Sequence, residues 1–262
     1  MLILHNLTGI FYLLSSLGYL FQIIFSERRM ERVTLCLLSL GVLCHSLLLF
    51  VHVTQAPYPF ILGEGDFLYF TSWVIAVTFL LLRWKYAFSA GGAFFVPLAL
   101  LFFILAEVLW GESPLRVVAL GNPWALVHIV FMSLAFAIFT ISFLVGNLYL
   151  FQRYQLKNRK VGLLMNWLPS LEAMDGIHYK ALTVGFVLLS VGMLAGALLS
   201  KTTIGHFFSA DPRQVASVVT WLLYALFLNV RMNSGWRGKK GIILSLLGFI
   251  GVILTFLGLE HH

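Results

Sequence analysis

The chain has 262 residues, of which 60% are hydrophobic and only 10% are charged, and its mean hydropathy is +0.95. Soluble domains carry about 25% charged residues, so this composition excludes a soluble globular protein. The net charge of +7 does not indicate nucleic-acid binding, because the basic residues lie in short segments between apolar runs and form no soluble basic face.

Eight apolar runs along the chain are long enough to span a hydrocarbon core about 30 Å thick. They predict an all-α, polytopic integral membrane protein that forms one membrane domain over residues 1–258. The residues after position 258 have the sequence of a tag remnant. The predicted spans lie near 3–25, 33–53, 67–82, 86–109, 124–151, 179–200, 214–230 and 241–258.

Lysine and arginine are concentrated after the first, third, fifth and seventh spans. These residues are Arg28, Arg29 and Arg32; Arg83 and Lys85; Arg153, Lys157, Arg159 and Lys160; and Arg231, Arg237, Lys239 and Lys240. The opposite segments hold only Arg116, Lys201 and Arg213. By the positive-inside rule, both termini are expected on the external side of a membrane, here a bacterial cytoplasmic (inner) membrane.

The polar and aromatic stretch 201–221 interrupts the apolar pattern and is predicted to contain a loop at the external face. Its candidate binding residues are His206, Phe207, Phe208, Asp211 and Trp221. On the other side of the membrane, residues 160–178 mix apolar and acidic positions. They predict either a short helix in the membrane interface or a plain connector.

Ionisable residues at membrane depth are costly and therefore suggest function. His45 and His52 are seven residues apart, about two helical turns, and share one face of the second span. The predicted topology places His52, His128 and His206 near the external face, where they are candidate metal ligands. Imidazole is a strong axial ligand for haem iron, and aromatic side chains suit a porphyrin face. The alternative is that each histidine satisfies a buried hydrogen bond between helices.

Other chemistries have little support in the sequence. No HxxH, CxxC or HExxH spacing indicates zinc, and no nucleophile elbow, phosphate loop or dinucleotide fingerprint occurs. Glu107 is interpreted either as a proton-path residue or as a carboxylate at a helix end. We therefore expect a protein that is not an enzyme.

Five segments together carry a family pattern. They are LCHSLLLFVH followed by GEGDFLYFTSW, NPWALVHIVFMSLAFAIF, LPSLEAMDGIHYKALTVGF, ADPRQVASVVTWLLYALFL and GWRGKKGIILSLLGFIGVILTFLG. This combination resembles the cytochrome c assembly family, which includes CcsA-like proteins and their HemX-like relatives. The resemblance implies a haem-handling membrane core, with haem b as the expected cofactor.

The resemblance also implies roles for particular residues. His45 matches an early membrane-embedded histidine of the family, and His128 matches its first external haem-ligating histidine. Asp211, Pro212 and Trp221 match the end of the haem-presenting loop and the start of the next helix. This chain departs from the pattern in four ways. Its loop lacks the family's tryptophans, Arg213-Gln214 stands for Lys-Glu, Asn229 stands where a membrane histidine is expected, and the second external histidine, expected after the eighth span, is missing.

These departures favour the HemX-like branch over a complete haem ligase. The leading hypothesis is a haem-binding protein with His128 as first ligand, His52 or His206 as second, and Phe207, Phe208 and Trp221 as walls. Two alternatives stay open: a membrane regulator of haem biosynthesis that acts on glutamyl-tRNA reductase levels, and a haem conduit or partner of cytochrome c assembly proteins. The expected partners are membrane lipid and haem, with no nucleic acid.

Overall fold

The computed structural model describes residues 2–25, 29–55, 64–86, 88–109, 122–159, 168–209, 212–234 and 238–257. Within these ranges all regular structure is helical, and each of the eight helices coincides with a predicted span. The helices are α1 Leu2–Phe25, α2 Glu31–Gln55, α3 Glu64–Tyr86, α4 Gly92–Val108, α5 Pro123–Lys157, α6 Leu171–Ile204, α7 Pro212–Ser234 and α8 Lys239–Leu257.

Within the described ranges, six helices (α1, α2, α3, α5, α6 and α7) are long and apolar enough to cross a membrane, and α4 is a shorter apolar helix. Their outward faces carry exposed leucine, isoleucine, valine and phenylalanine side chains, as lipid requires. The prediction of an all-α, multi-pass membrane protein is confirmed. Helices suit this composition because each satisfies its own backbone hydrogen bonds where no water is available.

The chain groups into two compact units. Unit 1 comprises residues 1–120 and 155–170 and contains α1–α4, whereas unit 2 comprises residues 121–154 and 171–262 and contains most of α5 with α6–α8. The prediction of a single membrane domain over 1–258 stays a prediction.

In unit 1, small residues let bulky side chains enter the helix contacts. A Cβ on Gly92 of α4 would lie 2.4 Å from Tyr19 of α1, so only glycine leaves room for that tyrosine. Near the end of α3, Arg83 donates hydrogen bonds to Glu31 at the start of α2 and to Ser89 just before α4. This ion pair joins three helices at one end of the unit.

In unit 2, Asp175 of α6 joins three helices in a similar way. Its two carboxylate oxygens accept hydrogen bonds from Arg231 of α7 at 3.2 and 2.7 Å. The N–H of Gly238, just before α8, donates to the same carboxylate at 3.1 Å. Gly238 has a φ of 71°, which favours glycine at this turn. The guanidinium of Arg231 also lies 4.3 Å above the ring of Tyr179.

The Asp175 contacts correct the expectation for residues 160–178. Of that segment the structure describes residues 168–178, and α6 already begins at Leu171, eight residues before the predicted start. Asp175 and His178 therefore belong to its first two turns. A charged residue normally interrupts an apolar pattern, but here Arg231 of α7 neutralises the carboxylate of Asp175 where α6 and α7 pack together. The prediction of an interfacial helix or connector is wrong for residues 171–178.

The stretch 201–221 is also less of a loop than predicted. Helix α6 continues to Ile204, and α7 begins at Pro212, so Trp221 lies in the third turn of α7. The hydroxyls of Thr202 and Thr203, in the last turn of α6, donate to the Leu199 carbonyl at 2.8 and 2.9 Å. Gly205, with a φ of 81°, then ends the helix.

Candidate haem-ligand site

His128 projects from the second turn of α5, whose start is firmly positioned. Asn122 caps the helix, because its side-chain oxygen accepts a hydrogen bond from the N–H of Trp124 at 3.1 Å. Its side-chain nitrogen donates to Thr202 at 2.8 Å, which ties the beginning of α5 to the end of α6. His128 therefore lies about 9 Å along the helix axis from this junction.

The imidazole of His128 has a defined tautomer. Its Nδ1 lies 2.7 Å from the carbonyl oxygen of Gly192 in α6. A carbonyl only accepts, so Nδ1 carries the hydrogen and Nε2 presents a lone pair. Among the described residues none forms a hydrogen bond with Nε2, and the side chain is half-buried. A histidine that donates one nitrogen to a backbone carbonyl and leaves the other free has the arrangement of a metal ligand.

Gly196 provides the space for this ring. A Cβ at position 196 would lie 2.7 Å from Nδ1 and 2.9 Å from Cε1 of His128. Gly192, whose carbonyl accepts the Nδ1 hydrogen, and Gly196, which leaves room for the ring, together position the candidate ligand. Sequence reasoning missed this role, because the glycines precede no recognisable motif and face a residue more than 60 positions away.

His206, Phe207 and Phe208 lie in the short connection after α6, and all three side chains are exposed. The backbone carbonyl of His206 accepts a hydrogen bond from Ser200 at 2.8 Å, which holds the connection against the helix end. Lys201 places its ammonium 4.4 Å above the Phe207 ring. Within the described residues, no hydrogen bond or ring contact joins His206 to His128.

Among the remaining candidates, the structure describes the side chain of Trp221 but not those of His52 and Asp211. Trp221 donates from Nε1 to Ser190 at 2.8 Å and stacks on Phe186 at 5.3 Å, so its contacts join α6 and α7. The backbone of His52 belongs to α2, but its side chain lies outside the described residues, as does Asp211. The predicted meeting of His52, His128 and His206 stays a prediction.

His45 lies in unit 1 and is fully buried. Its Nδ1 is 3.1 Å from the hydroxyl of Tyr12, and its ring lies 4.3 Å from Tyr69 and 5.5 Å from Phe103. Its Nε2 is buried and has no hydrogen-bond partner among the described residues. An unsatisfied buried nitrogen is rare in native structures and calls for an explanation beyond packing.

Two further histidines acquire contacts that the sequence does not predict. His5 stacks on Phe103 at 4.8 Å and lies 3.4 Å from the carboxylate of Glu107, which places Glu107 beside the His45 cluster. His178, the last residue of the segment predicted as an interfacial helix or connector, is buried. Its Nδ1 donates to the Ser142 carbonyl at 2.9 Å, and its Nε2 lies 2.9 Å from Ser245. With both nitrogens bonded, His178 joins three helices.

No group of three or more histidine, cysteine, aspartate or glutamate side chains forms a metal cluster within the described ranges. In the interior of unit 2, a cavity of about 10 Å³ is lined by residues that include Phe139, Leu189 and Thr220. It has room for about one water molecule. Neither feature has room for a porphyrin.

Comparison with known proteins extends over nearly the whole chain. A family model described as Cytochrome C assembly protein matches residues 62–261. The cytochrome c biogenesis protein CcsA of Prochlorococcus marinus (strain MIT 9301) is 28% identical over 274 residues, covering 95% of this chain and 88% of the relative. The protein of the same name from Pyropia yezoensis is 28% identical over 233 residues, covering 74% of this chain and 73% of the relative. The similarity thus includes helices of both units.

Proposed function

This chain belongs to the cytochrome c assembly protein family, and from that premise we propose that it is a haem-handling membrane protein with His128 as the iron ligand. The observation that carries the proposal is the imidazole whose Nδ1–H is bound by Gly192 while Nε2 is free of partners among the described residues. When bound, haem b supplies an iron centre that accepts this lone pair.

The proposed topology has eight spans with both termini outside the bacterial cytoplasmic membrane. It is supported by the basic residues after α1, α3, α5 and α7 and by their scarcity in the opposite segments. Because Asn122 is bonded to Thr202, the start of α5 and the end of α6 share one end of unit 2. In the proposed topology this end is external, which places His128 and His206 on the same, external side of the membrane.

Aromatic and basic side chains at this end of unit 2 support the proposal. Trp124 is one helical turn before His128 on the same face of α5 and is 39% exposed. Phe207 and Phe208, each 53% exposed, are the candidate walls in the α6–α7 connection. Lys201 would supply a cation for a haem propionate, and His206 would supply a second nitrogen to the iron. The sequence also predicts Trp221 as a wall, but its bond to Ser190 and its stacking on Phe186 support a packing role between α6 and α7.

We assign the chain a role as haem conduit or assembly partner and not as a complete haem ligase. The relatives carry the name cytochrome c biogenesis protein, which supports the assembly role. Asn229, where the family pattern has a membrane histidine, and the tryptophan-poor connection argue against full ligase activity. The chain is accordingly proposed to lack enzymatic activity of its own and to belong to the HemX-like branch.

Regulation of haem biosynthesis through glutamyl-tRNA reductase is the second candidate. It rests on the HemX-like resemblance alone and requires a cytoplasmic surface. A deletion strain distinguishes the two roles, because loss of covalent cytochromes c with unchanged reductase levels supports assembly. The reverse result supports regulation.

Haem titration of the purified full-length chain tests the proposed function. In detergent, added haem is expected to give a saturable Soret band at equimolar haem, with the spectrum of a histidine-ligated iron. A titration without saturation, indistinguishable from haem in empty detergent micelles, contradicts the proposal.

Gly196→Ala is expected to weaken haem binding about 10–100-fold, the range seen when a group that orients a metal ligand is lost. The added methyl lies within 3 Å of the His128 ring and displaces it from the Gly192 carbonyl. The measurement is the same titration. Gly176→Ala is the matched control in α6, since a Cβ there meets nothing within 4 Å. Equal affinity of the two variants would contradict the seating role of Gly196.

A further inference from the structure

The third helix of each unit contains the same pattern of residues. In α3, Trp73 is followed by Phe79, Leu80 and Arg83, and in α7 Trp221 is followed by Phe227, Leu228 and Arg231 at identical spacings. A shift of 148 positions in the sequence aligns α3 with α7. Phe79 and Phe227 are both fully buried, with 0% and 2% exposure. The shared pattern is therefore a core pattern and not a coincidence of exposed positions.

The second helices match as well, with a shift of 144 positions. In α2 the series is Glu31, Gly41 and Ser46, and in α6 it is Asp175, Gly185 and Ser190. Both series begin with a carboxylate in the first two turns of the helix and then place a glycine ten residues later and a serine five residues after that.

The matched residues make the same contacts in the two units. Trp73 donates from Nε1 to Ser46 at 2.9 Å, and Trp221 donates to Ser190 at 2.8 Å. At the other end of the same helix pair, Arg83 binds Glu31 and Arg231 binds Asp175. Each unit thus holds its second and third helices together with one tryptophan–serine bond and one ion pair.

The first and fourth helices of each unit also make matching contacts. A Cβ on Gly41 would lie 2.8 Å from Tyr12 of α1, and one on Gly185 would lie 2.8 Å from Phe139 of α5. Glycine in the second helix therefore admits an aromatic ring from the first helix in both units. In unit 1, Ser72, which precedes Trp73, donates to the Ala99 carbonyl of α4. In unit 2, Thr220, which precedes Trp221, lies against Gly251 of α8.

We propose that α1–α4 and α5–α8 are two copies of one four-helix repeat, and that the polar cluster around His45 is a functional addition which only unit 1 carries. The shifts pair His45 with Leu189, Tyr69 with Ser217 and, through the glycines, Tyr12 with Phe139. In unit 2 these three partners line the small apolar cavity. The repeat thus folds around an apolar centre, and unit 1 has a buried imidazole there with Nε2 unsatisfied among the described residues.

The repeat also assigns a structural role to Trp221. Because Trp73 makes the same bond in a unit that lacks His128, the tryptophan–serine bond belongs to the common fold. Trp221 is therefore a helix-pinning residue and not a wall of the haem site.

Matched double variants of the full chain test the functional addition. His45→Leu with Tyr12→Phe gives unit 1 two of the three central residues of unit 2, so the melting temperature is expected to stay unchanged or rise. His178→Leu with Ser245→Ala is the control, because that buried histidine bonds through both nitrogens, and it is expected to lose several degrees or fail to fold. A fall for the His45 pair as large as for the His178 pair overturns the proposal.

Two further readouts complete the test. Trp73→Phe and Trp221→Phe are each expected to lower the melting temperature by similar amounts, with the Soret maximum unchanged. A shifted Soret maximum in Trp221→Phe alone overturns the assignment of that residue. The His45 pair is also expected to reduce cytochrome c assembly at least several-fold, a readout that rests on the proposed function. Melting temperatures need no haem, so failure of the repeat and failure of the haem proposal are distinguishable.

Discussion

His128→Ala is expected to lower haem affinity by about 100-fold or more, because it removes the iron ligand itself and not only a group that orients it. In the titration of the full-length chain, the saturable Soret band disappears or moves to far higher haem concentrations. The loss follows from the free Nε2 lone pair, which no other described residue at that position replaces.

The His128→Gln variant separates ligation from packing. Glutamine retains a side-chain N–H for the Gly192 carbonyl but offers no imidazole to iron. Loss of the band in both variants, with melting temperatures near that of the parent chain, supports direct ligation. An unaltered Soret band in His128→Gln contradicts it. His206→Ala then tests the second ligand, since a change from six- to five-coordinate spectra is expected if His206 binds the iron.

Asp175→Asn is expected to destabilise the protein by about 3 kcal/mol or more, since breaking a buried ion pair leaves an uncompensated charge. Arg231 and Asp175 are only 8% and 15% exposed, so water does little to solvate the arginine once the carboxylate is gone. For a chain of this size the loss corresponds to a fall in melting temperature of roughly 10 °C. Thermal unfolding in detergent, followed by tryptophan fluorescence, measures it.

Two variants control this prediction. Glu31→Gln removes the matching carboxylate of unit 1, whose ion pair is more exposed at 16% and 24%, and a smaller fall is expected. Adding Arg231→Met to Asp175→Asn removes the orphaned charge and is expected to recover part of the stability. If the double variant is less stable than Asp175→Asn by the full cost of a second independent mutation, the two side chains do not act as a pair.

The sequence predicts the helices well, because a run of apolar residues must satisfy its backbone within the membrane whatever its neighbours are. The boundaries of α6 are harder to predict from the sequence. The helix begins eight residues early because the Asp175 carboxylate is neutralised by Arg231, 56 residues further along the chain. At its other end the helix continues four residues beyond the predicted boundary, to Ile204. Arg231, the partner of Asp175, is not visible within a local sequence window.

The candidate site was likewise predictable from the sequence only in part. Histidines in apolar runs indicate function by their cost alone, and His128 and His45 are found in this way. The hydrogen bonding of each histidine cannot be predicted in this way, because three buried or half-buried histidines of similar sequence context form different hydrogen bonds. His178 is bonded through both nitrogens, His128 through one with the other half-buried, and His45 through one with the other buried. The family resemblance names His128 without explaining the two glycines that seat it.

Composition and the placement of apolar runs thus suffice to establish a multi-pass helical membrane protein, since this property depends on local hydrophobicity. The cytochrome c assembly family is indicated separately, by the resemblance of motifs along the chain and by the matching family model. Only the tertiary structure decides that Gly192 sets the tautomer of His128, that His178 belongs to the fold, and that tryptophan–serine and arginine–carboxylate pairs recur in both units. The reason is physical: a hydrogen bond between helices depends on which faces meet, and that is a property of packed pairs of helices and not of either segment alone.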